Sequence, residues 1–260
     1  MPTSIDHIVI ASADLEVAIA NARSAGFTVV PGGVHGSGNT HNALIGFADG
    51  AYLELFSPTV QGRTADHRWF PRIRKGGGLV DFCLLGADLA TEVSQIRARG
   101  IEYSEPFSMA RVTPAGTRID WMLSTAPYPT GEKGWPFIIE DKTPRPLRVP
   151  HEADQIEHSN GAAGVAGMTV LVRDVDKSSD EYAAILGTRA MGSERSRSFS
   201  LGPAWIEVRE AVDREETEHL ERYGQGPYAI TLWARSEDAR PGDGELLDPA
   251  LFSGAKIFVA

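Results

Sequence analysis

Asp6-His7-Ile8-Val9-Ile10-Ala11, with Asp14 behind it, then Leu15, Ala18, Ile19 and Ala22, and finally Gly26, is the stretch that decides the fold. The first six residues form a strand candidate, and Asp14 is a helix N-cap candidate. The next four apolar residues recur at i, i+3, i+4 and i+7, the stripe of an amphipathic helix. Gly26 stands where a helix ends in a left-handed residue. The same grammar returns at Leu79 to Leu85, Asp88, then Leu89, Val93 and Ile96 before Gly100. It returns again at Met168 to Val172, Asp174 and Asp176, then Tyr182, Ile185 and Leu186 before Gly187. Chance accounts poorly for three such matches, and repeats of this kind set the whole architecture.

Short strand candidates follow each helix. In the first unit they are Phe27 to Pro31, Asn42 to Phe47 and Tyr52 to Phe56, separated by Gly-rich or Asp-Gly turns. In the third they lie near Ala190-Met191, Ser198 to Leu201 and Trp205 to Val208. A fourth unit opens at Tyr228 to Trp233 and is truncated. Pro241-Gly242-Asp243-Gly244 replaces its helix, and Lys256 to Val259 supplies a last strand. The expected fold class is α+β: repeated βαβββ units forming curled mixed sheets, with helices on the outer face and a cavity on the other. The expected organisation is a first half at 1–141 holding two units, a connector at 142–164, and a second half at 165–260 holding one full and one truncated unit.

Composition excludes several function classes. With 42% hydrophobic and 23% charged residues, the 260-residue chain is an ordinary globular protein able to bury a core. A net charge of −10 argues against nucleic acid, whose phosphates need a Lys/Arg surface. Arg68, Arg72, Arg74 and Lys75 read as a solvated connector. No apolar run approaches the ~20 residues of a membrane-spanning helix, and Met1 to Ala11 lacks a secretory pattern. The single cysteine, Cys83, rules out an internal disulfide and fits a reducing, cytoplasmic location. Inside Phe82-Cys83-Leu84-Leu85 it reads as buried and inert. The sequence carries no phosphate-cradling loop, nucleophile elbow or paired Cys-x-x-Cys. Asp213 to Glu221 mixes both signs and reads as a solvated helix face.

Strand alternation selects the polar groups that face the cavity. Ile8 and Ile10 share one face, and His7, Val9 and Ala11 the other. Leu53 and Leu55 oppose Tyr52, Glu54 and Phe56. If the aliphatic faces pack under the helices, His7 and Glu54 meet on the concave side, where burial without a partner is costly. Three explanations compete: a divalent metal (Zn, Fe, Mn or Ni), a hydrogen bond to each other or to a substrate, or a structural pair. Trp121 alternates with Ile119 and Leu123, which gives it a core role or the floor of a ligand cavity. Arg118 and Asp120, on the other face, read as a surface pair. Arg145 and Arg148 lie in a Pro-rich loop where an Arg fork could hold a substrate carboxylate. His35 reads as a turn residue or part of the pocket rim. His158 reads as a loop residue bonding backbone, and His67, His151 and His219 read as exposed.

Together, Asp6-His7-Ile8-Val9, Gly32-Gly33-Val34-His35, Asn39 to Phe47 and Tyr52-Leu53-Glu54-Leu55 resemble the glyoxalase-like domain family of the vicinal oxygen chelate superfamily. Pro136 to Glu140 with Pro144-Arg145, and His158 to Ala162, extend the resemblance over most of residues 4–210. It implies that His7 and Glu54 are metal ligands and that Glu54 takes part in catalysis. The partner unit offers Asp81 and a residue near Phe137 or Ile138, a departure from the family's His/Glu pattern. A third ligand is sought among Asp81, His41 and His158. His41, Asn42 and Trp121 are the expected substrate-binding residues. In the third unit Glu207 matches Glu54 while Met168 stands where His7 did, so that half is expected to have no metal site. The implied function is that of a metal-dependent lyase, isomerase or dioxygenase acting on a small oxygenated substrate. The alternative is a metal-free small-molecule binder. The expected partners are a small-molecule substrate and, from related folds, a second copy in a homodimer; nucleic acid and membrane are not expected.

Overall fold

The computed structural model describes residues 1–127, 133–234 and 239–260. The first unit runs β1 (Ser4–Ala11), α1 (Leu15–Ser24), β2 (Val30–His35), β3 (Thr40–Gly46) and β4 (Tyr52–Pro58). A short helix, α2 (Phe70–Arg74), leads to β5 (Gly78–Leu85), α3 (Leu89–Ala98), β6 (Phe107–Val112), β7 (Arg118–Ser124) and β8 (Phe137–Asp141). These eight strands close into a barrel in the order β1-β4-β3-β2-β6-β7-β8-β5. Two single-turn helices, α4 (Arg145–Arg148) and α5 (Ala153–Ile156), bridge to the second half.

There, β9 (Gly164–Val172), α6 (Val175–Leu186), β10 (Met191–Ser193), β11 (Ser196–Leu201) and β12 (Ala204–Glu210) form the third unit. After α7 (Arg214–Tyr223) come β13 (Gly226–Trp233), β14 (Glu245–Leu246) and β15 (Lys256–Val259). They make an open seven-stranded sheet, β10-β11-β12-β9-β13-β15-β14. Among the described residues no helix is long and apolar enough to cross a membrane. The α+β architecture of curled sheets with helices outside is the one the repeats predicted.

The three repeated aspartates do the same work in each unit. Asp14 accepts from the Glu16 and Val17 amides, Asp88 from Thr91 and Asp174 from Lys177. Each such cap stabilises its helix by about 1 kcal/mol. The alternation in β1 and β4 also holds. Ile8, Ile10, Leu53 and Leu55 pack with Leu15 and Ile19 of α1 in the large core. Val9, Ala11 and Phe56 belong to a second cluster inside the barrel, with Trp121 and Phe137. Each aliphatic side chain fully buried this way contributes about 1.5–3 kcal/mol.

Three local expectations are corrected. The second strand starts at Val30 rather than Phe27, because Phe27 turns into the core while its amide bonds Ala22 O. The strand then runs through Gly32-Gly33-Val34-His35, which is therefore no turn. Val34 and His35 pair with Val112 and Arg111 of β6, and this pairing closes the barrel. Gly33 adopts φ 134°, and a Cβ there would stand 2.0 Å from Val112 O. Finally, the helix at Arg214–Tyr223 is only partly solvated. Leu220 and Glu216 turn inward, and Glu216 is held by Arg209 at 2.6 Å.

Candidate functional site

The barrel encloses a cavity of about 240 Å³. One wall is apolar, built from Phe56, Trp69, Phe107, Trp121, Phe137 and Ile139. The polar end carries His7, His35, Asn42, Tyr52, Glu54, Arg111 and Arg148, with Phe137 5.2 Å from the His7 ring and Phe56 5.9 Å from that of His35. His7 and Glu54 therefore do meet in one hollow, with His7 Nε2 3.5 Å from Glu54 Oε2.

Each polar group is fixed by a neighbour. His7 Nδ1 lies 2.6 Å from Asp6 Oδ1. A carboxylate can only accept, so Nδ1 carries a proton, and Nε2 is the ring nitrogen turned to Glu54. The His7 ring stacks on Tyr52, with centroids 4.6 Å apart and planes inclined by 15°. Asp6 is fully buried. Burial alone would raise its pKa, but Arg148 and the bond to His7 hold it well below the usual carboxylate range. Arg148 reaches Asp6 at 2.7 Å and Tyr52 Oη at 2.9 Å, and also pairs with Asp141. Arg145 ties Asp6, Asp141 and Gly50 O together. The Arg fork of the Pro-rich loop is thus spent on the protein's own carboxylates.

Glu54 accepts from Asn42 Nδ2 at 2.6 Å. His35 Nε2 lies 3.6 Å from Glu54 Oε1, and its Nδ1 lies 2.8 Å from Thr40 Oγ1. Burial lowers the His35 pKa against the pull of Glu54, which keeps the ring neutral and its nitrogen available. Gly32 leaves room for this arrangement, since a Cβ there would stand 2.1 Å from Asn42 Oδ1.

The other expected site residues fall out as follows. Asn42 and Trp121 line the cavity. His41 points the other way, toward α1, where Glu16 and Asp14 act on it. Strand alternation with Thr40 and Asn42 requires this, so His41 does not join them. Asp81 accepts from Trp69 Nε1 at 3.0 Å and pairs with Arg68 at 2.9 Å. Burial outweighs these partners and raises its pKa. Its oxygens are thus turned to Arg68 and Trp69 instead of His7 and Glu54. His158 accepts from Thr28 N at 3.0 Å and lies 2.9 Å from Gly46 O, as a loop residue bonding backbone. Arg118 and Asp120 pair at the surface at 2.8 Å.

Sequence reasoning missed four groups. His67 faces the cavity instead of solvent, stacked near Phe56 and Phe70, and burial brings its pKa to about 4. Arg68 is not solvated but lines the same space. Arg72 lies 3.2 Å over the Tyr223 ring. Arg111, buried opposite His35, went unseen; its alternation with Met109 in Met109-Ala110-Arg111 was the available signal. In the second half, strand pairing sets Gly167 opposite Trp205 as His7 stands opposite Tyr52. The counterpart of His7 is therefore Gly167, not Met168, and Trp205 fills its space. Glu207 is held there by Thr169 and Ser196.

The donor set at the polar end suits a divalent metal. His7 turns Nε2 to the cavity and is held at Nδ1 by a carboxylate behind it, a common outer support of metal-ligating imidazoles. A second imidazole, His35, reaches the same carboxylate from its other oxygen. An imidazole and a carboxylate suit Zn, Fe, Mn or Ni, although His7, His35 and Glu54 do not bring ligand atoms of all three within 4.8 Å of one another. A different trio, Asp6, His7 and Cys83, brings its ligand atoms within 4.8 Å of one another. It is a poor alternative, because Asp6 is committed to Arg145 and Arg148, and burial pushes the Cys83 thiol pKa well up.

The sequence profile of the glyoxalase-like domain family matches residues 5–186, well over half of the chain. No curated protein matches it. Among solved structures, a hypothetical protein from Staphylococcus aureus superposes with TM-score 0.74 at 13% identity, over 99% of this chain and 98% of that one. A triple mutant of 4-hydroxymandelate synthase from Streptomyces coelicolor gives TM-score 0.64 at 13% identity, over 90% and 72%. A fusion of a xylose isomerase-like TIM barrel with 4-hydroxyphenylpyruvate dioxygenase gives 0.55 at 13%, over 91% and 37%. At such identities the likeness is one of fold, and it agrees with the family match: the chain belongs to the glyoxalase-like domain family.

Proposed function

We propose that the protein is a metal-dependent enzyme, a lyase, isomerase or dioxygenase, acting on a small oxygenated molecule held inside the barrel. The observation that carries this reading is the convergence of His7 Nε2 and Glu54 Oε2, 3.5 Å apart, at the polar end of the barrel cavity. His7 and Glu54 would hold the cation, with His35 in reach of the same carboxylate. A cation bound there supplies Lewis acidity to substrate oxygens. The chain's own groups do the rest. Asp6 keeps His7 in one tautomer and one orientation. Asn42 fixes the Glu54 carboxylate, whose oxygens are the best-placed proton acceptors facing the substrate space. The aromatic wall excludes water and packs the apolar part of the substrate.

Calorimetric titration of chelator-stripped protein with Fe(II), Mn, Ni and Zn checks the metal. The wild type is expected to bind one equivalent, and a His7→Ala/Glu54→Ala double variant at least about 100-fold more weakly. Equal binding by both proteins would remove the reading. One observation favours the metal-free binder instead: among the described residues the partner unit supplies no further ligand, since Asp81 is engaged elsewhere and Phe137 brings a phenyl ring. Absence of metal binding in the same titration would select it.

A further inference from the structure

We infer that Arg111 is the anchor for a carboxylate group of the ligand, so that the cavity takes a small apolar acid rather than a neutral molecule. The inference rests on the reading of this cavity as the functional site, but it does not require a metal.

Arg111 stands on β6 beside the seam that closes the barrel, and is only 4% exposed. Its Nη2 donates to Arg148 O at 2.6 Å, and its Nη1 reaches Asn42 Oδ1 at 3.4 Å, a long contact. Its Nε is buried with no hydrogen-bond partner. Among the described residues no carboxylate forms an ion pair with it. A buried guanidinium in this condition is costly. The contrast with its neighbour is informative, because Arg148 is neutralised by Asp6 and Asp141 together. Glu54 sits at the same end of the cavity but is bonded to Asn42 and lies beyond ion-pair range of Arg111.

Burial lowers the Arg111 pKa against the pull of Tyr52 and Glu54, with Arg148 adding to the effect. A guanidinium nevertheless keeps its charge in proteins, so the site cannot relieve itself by losing a proton. An incoming anion can. A carboxylate meets a guanidinium through two parallel hydrogen bonds, and Arg111 lines the cavity that would admit one. Phe107 on the same strand, Trp121 on the neighbouring strand β7 and Phe137 line the cavity with it, which defines the rest of the ligand as apolar and flat enough for aromatic packing. The cavity volume of about 240 Å³ admits a single ring with its acid group.

The test uses full-length, chelator-stripped protein titrated with benzoate and with benzamide, its neutral analogue of the same shape. The wild type is expected to bind the acid at least about 10-fold more tightly, equivalent to about 1.4 kcal/mol. Arg111→Met is expected to lose that preference. Arg111→Lys, which keeps the charge without the fork, should fall between the two. The His7→Ala/Glu54→Ala variant is expected to keep the preference, which separates this inference from the metal reading. Equal affinity for acid and amide in the wild type overturns the inference whether or not either variant folds. So does an undiminished preference in a folded Arg111 variant, or a preference that vanishes when His7 and Glu54 are removed.

Discussion

At the scale of single residues, the site depends on a carboxylate that never faces the cavity. Asp6 supports His7 from behind and neutralises Arg148, so Asp6→Asn acts on both. Losing one carboxylate from a buried guanidinium destabilises by about 3 kcal/mol, with Asp141 limiting the damage. Weaker orientation of His7 should reduce metal affinity by about 10–100-fold. The stability effect has a definite pH signature. The folded pKa of Asp6 lies below its ordinary value of 3.8, so its contribution is present above that pH and disappears as pH falls through the folded value. Urea melts from neutral pH downward should show a constant gap between wild type and Asp6→Asn above pH 3.8, narrowing below it. A gap that stays constant into strong acid would mean that the Asp6 charge is not what stabilises.

At the scale of elements, what the sequence makes legible is what period alone controls. Alternation in β1 and β4 places His7 and Glu54 on the inner face, and three aspartates mark three helix starts. His35 and Arg111 are a different matter. They meet because β2 pairs with β6, strands from different units, and no local period reports a partner so distant in sequence. Gly-Gly within β2 looks like a turn, yet it gives the backbone the freedom for that close approach. His41 misleads for the opposite reason: its neighbours Thr40 and Asn42 face inward, and a period of two sends it out. Pairing also shows why the second half has no imidazole where the first has His7. A Cβ on Gly167 would stand 2.2 Å from Trp205 Cδ2. Gly167→Ala is therefore expected to cost about 1–3 kcal/mol in chemical denaturation. Gly36→Ala is the control, since its added carbon meets only Ala110 O at 3.4 Å. Equal small losses in both would show that the indole does not claim that space.

At the scale of the whole molecule, duplication has produced two halves with different fates. Both share one continuous apolar core, in which Ile8 and Leu53 of the barrel join Met168, Val170 and Ile230 of the open sheet. Phe27 meets Phe252 edge-on at 6.0 Å, and Arg72 stacks on Tyr223. The truncated fourth unit leaves the second sheet open, while the complete pair of units closes into a barrel with a chemically equipped interior. That division of labour follows from which strands each half possesses.

The central claim is that the barrel cavity holds a divalent cation on His7 and Glu54. Anomalous diffraction from crystals soaked in Zn, Mn, Fe or Ni measures this directly. The account predicts one strong peak at about 2.0–2.2 Å from both His7 Nε2 and a Glu54 oxygen. A peak beside Asp6 and Cys83 on the far side of the imidazole, or none inside the barrel, would contradict it.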